Sequence, residues 1–263
     1  MLVVTFLARF IFGSVLLVYG GWRDLTKREV ENWVPVALVV GGIILSVVDA
    51  FLTGDAMPVA LALVSCGVGF GIALGIFYSG SMGGADCKIF IGITTLFPIV
   101  ISSPLPVLSE INPLVEGTRR VLPMFSLSWL LNSLLISLVV PVVLGVRNTY
   151  DYLRGRITDV GLRTIPAFFV GYRTRVGKLR PSFVLPLERF EDIEGETVRV
   201  LRYTRGVLEE SEERELIERV RENLDDEQLI WVFPYVPFIL PMLAGYFLTL
   251  FAGDLLVNFL VNL

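Results

Sequence analysis

The sequence predicts an all-α polytopic membrane bundle of six transmembrane helices, with a small α+β insert before the last helix. Three observations support this prediction. Of the 263 residues, 54% are hydrophobic and 18% are charged, and the mean hydropathy is +0.71. Apolar stretches of about 20 residues, long enough to cross a bilayer, recur along the chain. One long polar stretch interrupts them, and it holds fifteen of the 22 basic residues.

The six predicted spans account for most of the apolar sequence. The first is too long for the core of a signal peptide and has no small-residue cleavage site, so we interpret it as a permanent span. The spans cover residues 2–22, 34–53, 57–79, 87–104, 124–146 and 230–260. The predicted domains are therefore spans one to five within residues 1–146, a soluble insert at 147–229 and a last helix within 230–263.

The insert is predicted to contain both strands and a helix. Segments rich in β-branched and aromatic residues predict strands at Thr164–Tyr172, Ser182–Leu187 and Thr197–Tyr203. Apolar residues at helical spacing predict a helix over Glu209–Leu224. Asp225, followed three residues later by Gln228, matches a capping box, and we expect this box to open the last transmembrane helix.

The composition excludes several kinds of site. The chain has no histidine, and its two cysteines, Cys66 and Cys87, form no Cys-x-x-Cys pair. We therefore expect no metal site, no cofactor and no disulfide framework. The net charge of -4 does not suggest a nucleic-acid partner. Proton chemistry would have to come from Asp, Glu, Lys, Tyr or Cys.

The basic residues predict the orientation of the spans. In a six-span chain the first and third connections and the insert share one side of the membrane, and that side carries Arg23, Lys27, Arg28, Lys88 and the fifteen basic residues of the insert. The opposite side carries Arg119 and Arg120, apart from Arg9 near the amino terminus. The positive-inside rule therefore places the connections and the insert in the cytoplasm and both termini outside.

Two carboxylates stand at the same predicted boundary. Asp24 follows span one and Asp86 precedes span four, so both lie at the cytoplasmic ends of their helices. Two neighbouring carboxylates share one proton, so that one can accept a proton from an attacking water while the other donates to a carbonyl oxygen. Gly83 and Gly84 would let an extended substrate run close to the backbone and could adopt positive φ.

A simpler interpretation applies to each acid taken alone. An aspartate just before a helix is most often a cap, and one at the end of a span is most often solvated. Asp49, Asp55 and Asp254 lie at outer ends of predicted spans, and we assign them no function. The pairing of Asp24 with Asp86, with glycines beside the second, is the more specific signal.

These two stretches resemble the type IV prepilin peptidase family, most closely its archaeal preflagellin (prearchaellin) peptidases. The resemblance rests on Asp24-Leu-Thr-Lys-Arg-Glu-Val-Glu-Asn32, on Gly83-Gly-Ala-Asp86 and on the proline-rich stretch from Trp231 to Pro241. Ala85 stands where the GxGD pattern has its second glycine. The resemblance implies a GxGD membrane aspartyl protease with Asp24 and Asp86 as catalytic acids and with Gly83, Gly84 and Ala85 beside the substrate backbone. It further implies that archaellin or pilin precursors, with a basic leader before an apolar helix, are cleaved at the cytoplasmic face.

Three alternatives remain open. A presenilin-type intramembrane protease also uses an aspartate pair, but its P-A-L motif is absent from the last span, which reads Leu240-Pro241-Met242-Leu243. A transporter would need acids near the middle of spans and inverted halves. A structural scaffold, in which both acids are caps, would tolerate Asp-to-Asn substitution.

Overall fold

The computed structural model describes residues 3–80, 82–98, 125–158, 160–181, 183–193, 196–203, 210–256 and 259. Two compact units make up the chain, Met1–Ile136 with Pro237–Leu263 as the first and Ser137–Val236 as the second. The second unit extends beyond the predicted insert at 147–229 in both directions along the sequence. Residues 99–104 of the fourth predicted span, and both Arg119 and Arg120, lie outside the described residues.

Helices dominate the described part of the chain. In chain order they are α1 (Val3–Lys27), α2 (Trp33–Thr53), α3 (Met57–Tyr78), α4 (Gly84–Leu96), α5 (Phe125–Ser137), α6 (Val139–Leu153), α7 (Ile165–Val170), α8 (Glu210–Asn223) and α9 (Ile239–Ala252). The strands are β1 (Tyr172–Arg175), β2 (Val184–Pro186), β3 (Glu188–Ile193), β4 (Glu196–Leu201) and β5 (Leu229–Pro234).

Four helical stretches of the described residues are long and apolar enough to cross a membrane. They are Val4–Lys27, Trp33–Thr53, Met57–Tyr78 and Phe125–Leu153, the last of which contains α5 and α6. α9 is apolar but shorter. Large apolar side chains such as Phe51 and Tyr78 are more than 80% exposed on α2 and α3, as lipid-facing surfaces require. The prediction of a mostly helical membrane protein with a small sheet is confirmed. The described residues contain four candidate spans, and the arrangement of six spans stays a prediction.

The predicted start of the last span, at residue 230, is wrong. Residues 229–234 form strand β5, which pairs antiparallel with β1 on one side and with β2 on the other. The expected capping box is instead a turn that leads into β5, in which the Asp225 amide donates to Gln228 Oε1 over 3.2 Å. Pro234 and Pro237 follow the strand, and α9 begins at Ile239. A buried apolar strand and an apolar helix look alike in sequence, which explains the error.

α2 and α4 pack with their backbones in close contact. A Cβ atom built on Gly42 of α2 would lie 2.7 Å from the carbonyl carbon of Thr95. A Cβ atom on Gly92 of α4 would lie 2.6 Å from Cβ of Leu38. Small residues at such crossings allow helices to approach in a membrane, where van der Waals contact replaces the hydrophobic effect. This crossing fixes α4, which carries Asp86, against α2.

Gly42→Ala is expected to destabilise the helical unit by about 1–3 kcal/mol, because the added methyl group meets backbone atoms that cannot rotate away. Gly67→Ala on α3 is the matched control, since a Cβ atom there has nothing within 4 Å. The measurement is the unfolding midpoint of the detergent-solubilised chain. Equal midpoints for the two variants would contradict the close α2–α4 crossing.

A buried ion pair joins three helices of the first unit. The Arg9 guanidinium of α1 lies 3.0 Å from Asp49 of α2, and both side chains are almost completely buried. Arg9 also donates to Ser46 Oγ over 3.0 Å and to the carbonyl oxygen of Leu96 over 2.5 Å. Thr5 Oγ1 donates to the second carboxylate oxygen over 2.6 Å. Asp49 is thus an internal partner of Arg9, not the outer-end acid without function that the sequence suggested.

α9 packs within the same unit against α5. The Trp129 indole N–H donates to the carbonyl oxygen of Met242 over 2.6 Å. The Asn132 amide donates to Thr249 Oγ1 over 2.9 Å and to the carbonyl oxygen of Gly253 over 2.8 Å. Buried polar groups that satisfy one another fix the register of two apolar helices. The chain segments before and after the second unit therefore form one core.

The second unit contains a three-stranded antiparallel sheet in the order β1-β5-β2 and a separate β3–β4 hairpin. Ile217 and Val220 of α8 pack on the sheet with Ile230 and Val232 of β5. The predicted helix at 209–224 and the predicted strand at 197–203 are confirmed by α8 and β4. The strand predicted at 182–187 is observed as β2 over the described residues of that segment.

The strand predicted at Thr164–Tyr172 is wrong, because residues 165–170 form helix α7. Pro166 lies in its first turn, where the fixed φ of proline favours a helix. The Asn148 amide of α6 donates to the carbonyl oxygens of Phe168 and Gly171 over 2.9 and 2.7 Å. These bonds satisfy carbonyl groups that the end of α7 would leave open. Tertiary contact therefore overrides the β propensity of the segment.

Candidate active site

An open cavity of about 560 Å³ lies in the first unit at the end of α1 and the start of α4. Both predicted acids line it, together with Ala85 and the connection between α1 and α2. The lining residues are Asp24, Arg28, Glu29, Val30, Glu31, Asn32, Ala85 and Asp86. The structure thus brings Asp24 and Asp86 to one cavity, as the positions of the two helix ends suggested.

Asp24 lies in the last turn of α1, where the chain reverses sharply. Arg28 adopts a left-handed conformation with φ 57°, and its amide donates to the carbonyl oxygen of Asp24 over 3.0 Å. A left-handed residue of this kind commonly ends a helix and satisfies its last carbonyl groups. The turn directs residues 28–32 across the end of α1. This connection therefore forms one wall of the cavity that contains Asp24.

Asp86 occupies the third position of α4, after Gly83 as its amino-terminal cap. Its carboxylate accepts a hydrogen bond from the backbone N–H of Gly83. This contact is half of a capping box, in which an acid at the third position reaches back to the cap residue. Asp86 is therefore a cap, as the simpler interpretation proposed, and it also faces the cavity.

The expectation of positive φ at Gly83 and Gly84 is wrong. Gly83 has φ -68° and ψ 156°, and Gly84 is the first residue of α4. The left-handed glycine near this motif is Gly80, with φ 68°. Of the three residues expected beside a substrate, Ala85 lines the cavity. Gly83 contributes its N–H to Asp86, a contact that any residue other than proline could make.

Burial, and to a smaller extent the nearby charge of Asp24, raise the pKa of Asp86 to about 7, against the lowering effect of the Gly83 N–H. Asp86 precedes the fourth predicted span and lies outside the four candidate membrane helices. The charge of Asp24 acts on Asp86, as expected for two neighbouring acids that share one proton. Near neutral pH such a pair can hold one proton, which is the state that acid–base chemistry with two carboxyl groups requires.

Glu31 is a cavity residue that the sequence analysis missed. It accepts hydrogen bonds from Tyr19 over 2.5 Å, from Trp33 Nε1 over 3.2 Å and from Arg23. The Tyr19 hydrogen bond, with support from the Arg23 charge, lowers the pKa of Glu31 below its ordinary value. Glu31 therefore stays ionised and ties the α1–α2 connection to α1. Its position seven residues after Asp24, among other charged residues, gave no separate signal.

A second contact holds the same connection to α4. Lys88 Nζ donates to Asn32 Oδ1 over 2.8 Å. The sequence analysis used Lys88 and Arg28 to predict the orientation in the membrane. In the structure Arg28 lines the cavity, and Lys88 joins the α1–α2 connection to α4. Among the described residues, no group of three or more His, Cys, Asp or Glu side chains could hold a metal ion.

Comparison with known proteins assigns the chain segment that carries this cavity to a family. Residues 11–146, which include both acids of the cavity, match the model of the type IV leader peptidase family. The chain belongs to the type IV leader peptidase family. Residues 163–255 of this peptidase match a second model, the archaeal peptidase A24 C-terminus type II. The resemblance stated from the two motifs is confirmed, and the chain is a membrane-embedded peptidase.

Three curated relatives resemble this peptidase over nearly its full length, and each is named preflagellin peptidase. The protein from Methanococcus voltae is 27% identical over 96% of this chain and 98% of its own. The protein from Methanocaldococcus jannaschii is 24% identical over 96% and 97%. The protein from Methanococcus maripaludis is 23% identical over 96% and 98%.

Proposed function

We propose that this peptidase is a membrane aspartyl endopeptidase that removes the leader peptide from archaellin or type IV pilin-like precursors. Asp24 and Asp86 are the catalytic acids of the proposal. One cavity lined by both acids, with the pKa of Asp86 raised to about 7, is the observation that carries it. The names of the three curated relatives support preflagellin as the substrate class.

The mechanism uses the shared proton of the pair. The ionised carboxylate takes a proton from water as the water oxygen attacks the scissile carbonyl carbon, and the neutral carboxyl group donates its proton to the carbonyl oxygen. The tetrahedral intermediate then collapses: one of its hydroxyl groups returns a proton to the ionised carboxylate, and the departing amide nitrogen receives a proton from the other acid, so the pair again holds one proton. Since the acids titrate together, neither is assigned a fixed role.

The orientation of the substrate follows from the proposed topology. Six spans with a soluble insert within 147–229 would place the cavity and the insert at the cytoplasmic face and both termini outside. The apolar helix of the precursor would dock laterally in the bilayer, and its basic leader would enter the cavity. Ala85 and the backbone of Gly83 and Gly84 would lie beside the extended segment that contains the scissile bond.

A cleavage assay tests the proposal directly. Membranes that contain the full chain are incubated with a precursor that has a basic leader ahead of an apolar helix. We expect a single cut before the apolar helix, read by mass spectrometry of the products. A cut in the middle of the apolar segment would instead indicate presenilin-type proteolysis and would contradict the proposal.

The pH dependence of cleavage is expected to follow the shared proton. Because the pKa of Asp86 is raised to about 7, the pair keeps its proton below that pH and loses it above. The value of kcat/KM should therefore fall about tenfold per pH unit at alkaline pH. The measurement is the initial cleavage rate from pH 5 to 9, with recovery at pH 6 as the control for inactivation. A rate that stays constant up to pH 9 would contradict a shared proton.

A further inference from the structure

The second unit contains a cavity of about 270 Å³ with an excess of positive charge. It is lined by Arg163, Thr164, Arg173, Glu188, Arg199, Leu201 and Trp231. Three arginines against one glutamate leave two positive charges in the lining. A pocket of this composition favours an anionic ligand, because guanidinium groups bind phosphate or carboxylate oxygens in pairs.

Glu188 pairs with Arg199 and is also influenced by the charge of Arg173, so one carboxylate faces three arginines in this cavity. Glu188 is bound by Arg199, which also donates to the carbonyl oxygen of Leu229 over 2.7 Å. Arg173 Nε is buried and has no hydrogen-bond partner in the part of the chain that the structure describes. The side chain of Arg163 is exposed, and its backbone is fixed by a 2.7 Å hydrogen bond from Tyr203 to its carbonyl oxygen.

The carboxyl end of α6 has the features of a membrane interface. Tyr150 and Tyr152 are about half exposed there, and the basic residues Arg147 and Arg154 lie in the same two turns. Aromatic and basic side chains gather where a span leaves the hydrocarbon. The candidate span Phe125–Leu153 has 29 residues, which at about 1.5 Å per residue exceeds the thickness of the hydrocarbon core.

The arginine cavity is attached to this end of α6. The Phe168 ring of α7 contacts Tyr152 of α6 at 6.4 Å between ring centroids and Trp231 of the cavity at 5.7 Å. The Asn148 hydrogen bonds hold the carboxyl end of α7 to α6, and Arg147 lies 4.8 Å from the ring centre of Tyr172. These contacts hold the cavity close to the end of α6 that carries the interface residues.

Apolar residues flank the cavity arginine that is most accessible. Leu162, which precedes Arg163, is 87% exposed, and Ile165, which follows Thr164, is 48% exposed. Exposed apolar side chains on both sides of a cationic pocket match an amphiphile better than a free anion, because acyl chains would cover the apolar surface while the headgroup enters the pocket.

We propose that this cavity binds the phosphate group of a membrane-lipid headgroup, with Arg163 and Arg173 as its ligands and with Leu162 and Ile165 against the acyl chains. The site is separate from the peptidase cavity and does not depend on the proposed cleavage reaction. Binding would fix the second unit to the membrane surface through a specific lipid contact in addition to the span itself.

The test counts lipid molecules on the full chain. The protein is purified in detergent and titrated with phosphatidylglycerol, and bound lipid is measured by native mass spectrometry. Arg173→Gln and Arg163→Gln should each weaken the tightest binding step about tenfold, the loss expected for one charged hydrogen bond. Because the Arg163 side chain is exposed, its variant keeps the fold, which a thermal unfolding curve verifies.

Matched controls separate the sources of binding. Arg175→Gln, on the same strand as Arg173 but paired with Glu227 over 2.9 Å outside the cavity, should bind lipid as the wild type does. Diacylglycerol with the same chains should bind more weakly, and inorganic phosphate should not compete at equal concentration. Unchanged binding by both cavity variants, or an equal loss in Arg175→Gln, would overturn the site. Equal affinity for diacylglycerol or for inorganic phosphate would overturn the assignment to a lipid phosphate.

Discussion

Asp86→Asn is expected to lower kcat/KM for leader cleavage by at least about a hundredfold, and up to about ten-thousandfold, because the pair loses the group that takes and returns the proton. Asp24→Asn should have an effect of similar size, since each reaction cycle needs both carboxyl groups. An amide can accept or donate a hydrogen bond but cannot exchange a proton near neutral pH. The measurement is the initial rate of precursor cleavage at pH 6.

The structure provides a control for folding in this experiment. The side-chain amide of the Asp86→Asn variant would still offer an oxygen to the N–H of Gly83, so α4 keeps its cap and the variant should accumulate in the membrane as the wild type does. Asp55 is the matched control because it also caps a helix, accepting the Met57 N–H over 2.9 Å at the start of α3, but lies outside the cavity lining. Asp55→Asn should cleave at the wild-type rate. Near wild-type activity of Asp86→Asn or Asp24→Asn would mean that these acids are structural caps alone.

Removing one member of the Arg9–Asp49 pair is expected to destabilise the helical unit by about 3–5 kcal/mol, because the remaining charge would be buried without its partner. Arg9→Met leaves Asp49 with Thr5 as a hydrogen-bond donor, and Asp49→Leu leaves Arg9 with Ser46 and a carbonyl oxygen. The double variant removes both charges and should regain most of the stability of the wild type. Unfolding in mixed detergent and SDS micelles measures all three.

An exposed ion pair gives the reference for this double-mutant cycle. Arg156 lies 3.0 Å from Asp151, with the arginine side chain 62% exposed. Loss of such a surface pair should change stability by less than about 1 kcal/mol. If the double variant is as unstable as the sum of the two single variants, Arg9 and Asp49 act independently, and the buried pair is not the source of the stability.

Hydropathy and motif together predicted the cavity acids but not their surroundings. Asp24 and Asp86 stand at ends of apolar runs, and the positions of those runs predict that both acids share one side of the membrane. Glu31 lies in a charged connection whose conformation depends on Arg28 and on contacts with Tyr19 and Trp33. Contacts of this kind depend on tertiary structure, so no local sequence pattern predicts them.

The errors in the fold have physical causes of the same kind. β5 is apolar because β1 and β2 cover it, and a hydropathy pattern cannot tell a covered strand from a membrane helix. α7 is helical because Asn148 satisfies its carbonyl groups. Arg9 was visible in the first apolar run, and the cost of burying its charge could have indicated a partner on another helix. Asp49 is the acid that stands within the second run.

The hydrogen bond from the Gly83 N–H affects how the pKa of Asp86 responds to substitutions of neighbouring residues. Desolvation raises the pKa of this carboxyl group, and a main-chain amide opposes the rise by favouring the anion. A main-chain amide persists through any substitution except proline, and a Cβ atom at Gly83 would make an ordinary van der Waals contact of 3.4 Å with Asp86 Oδ2. The hydrogen bond that limits the rise of the Asp86 pKa therefore comes from the main chain at the start of α4, and it does not depend on which side chain position 83 carries.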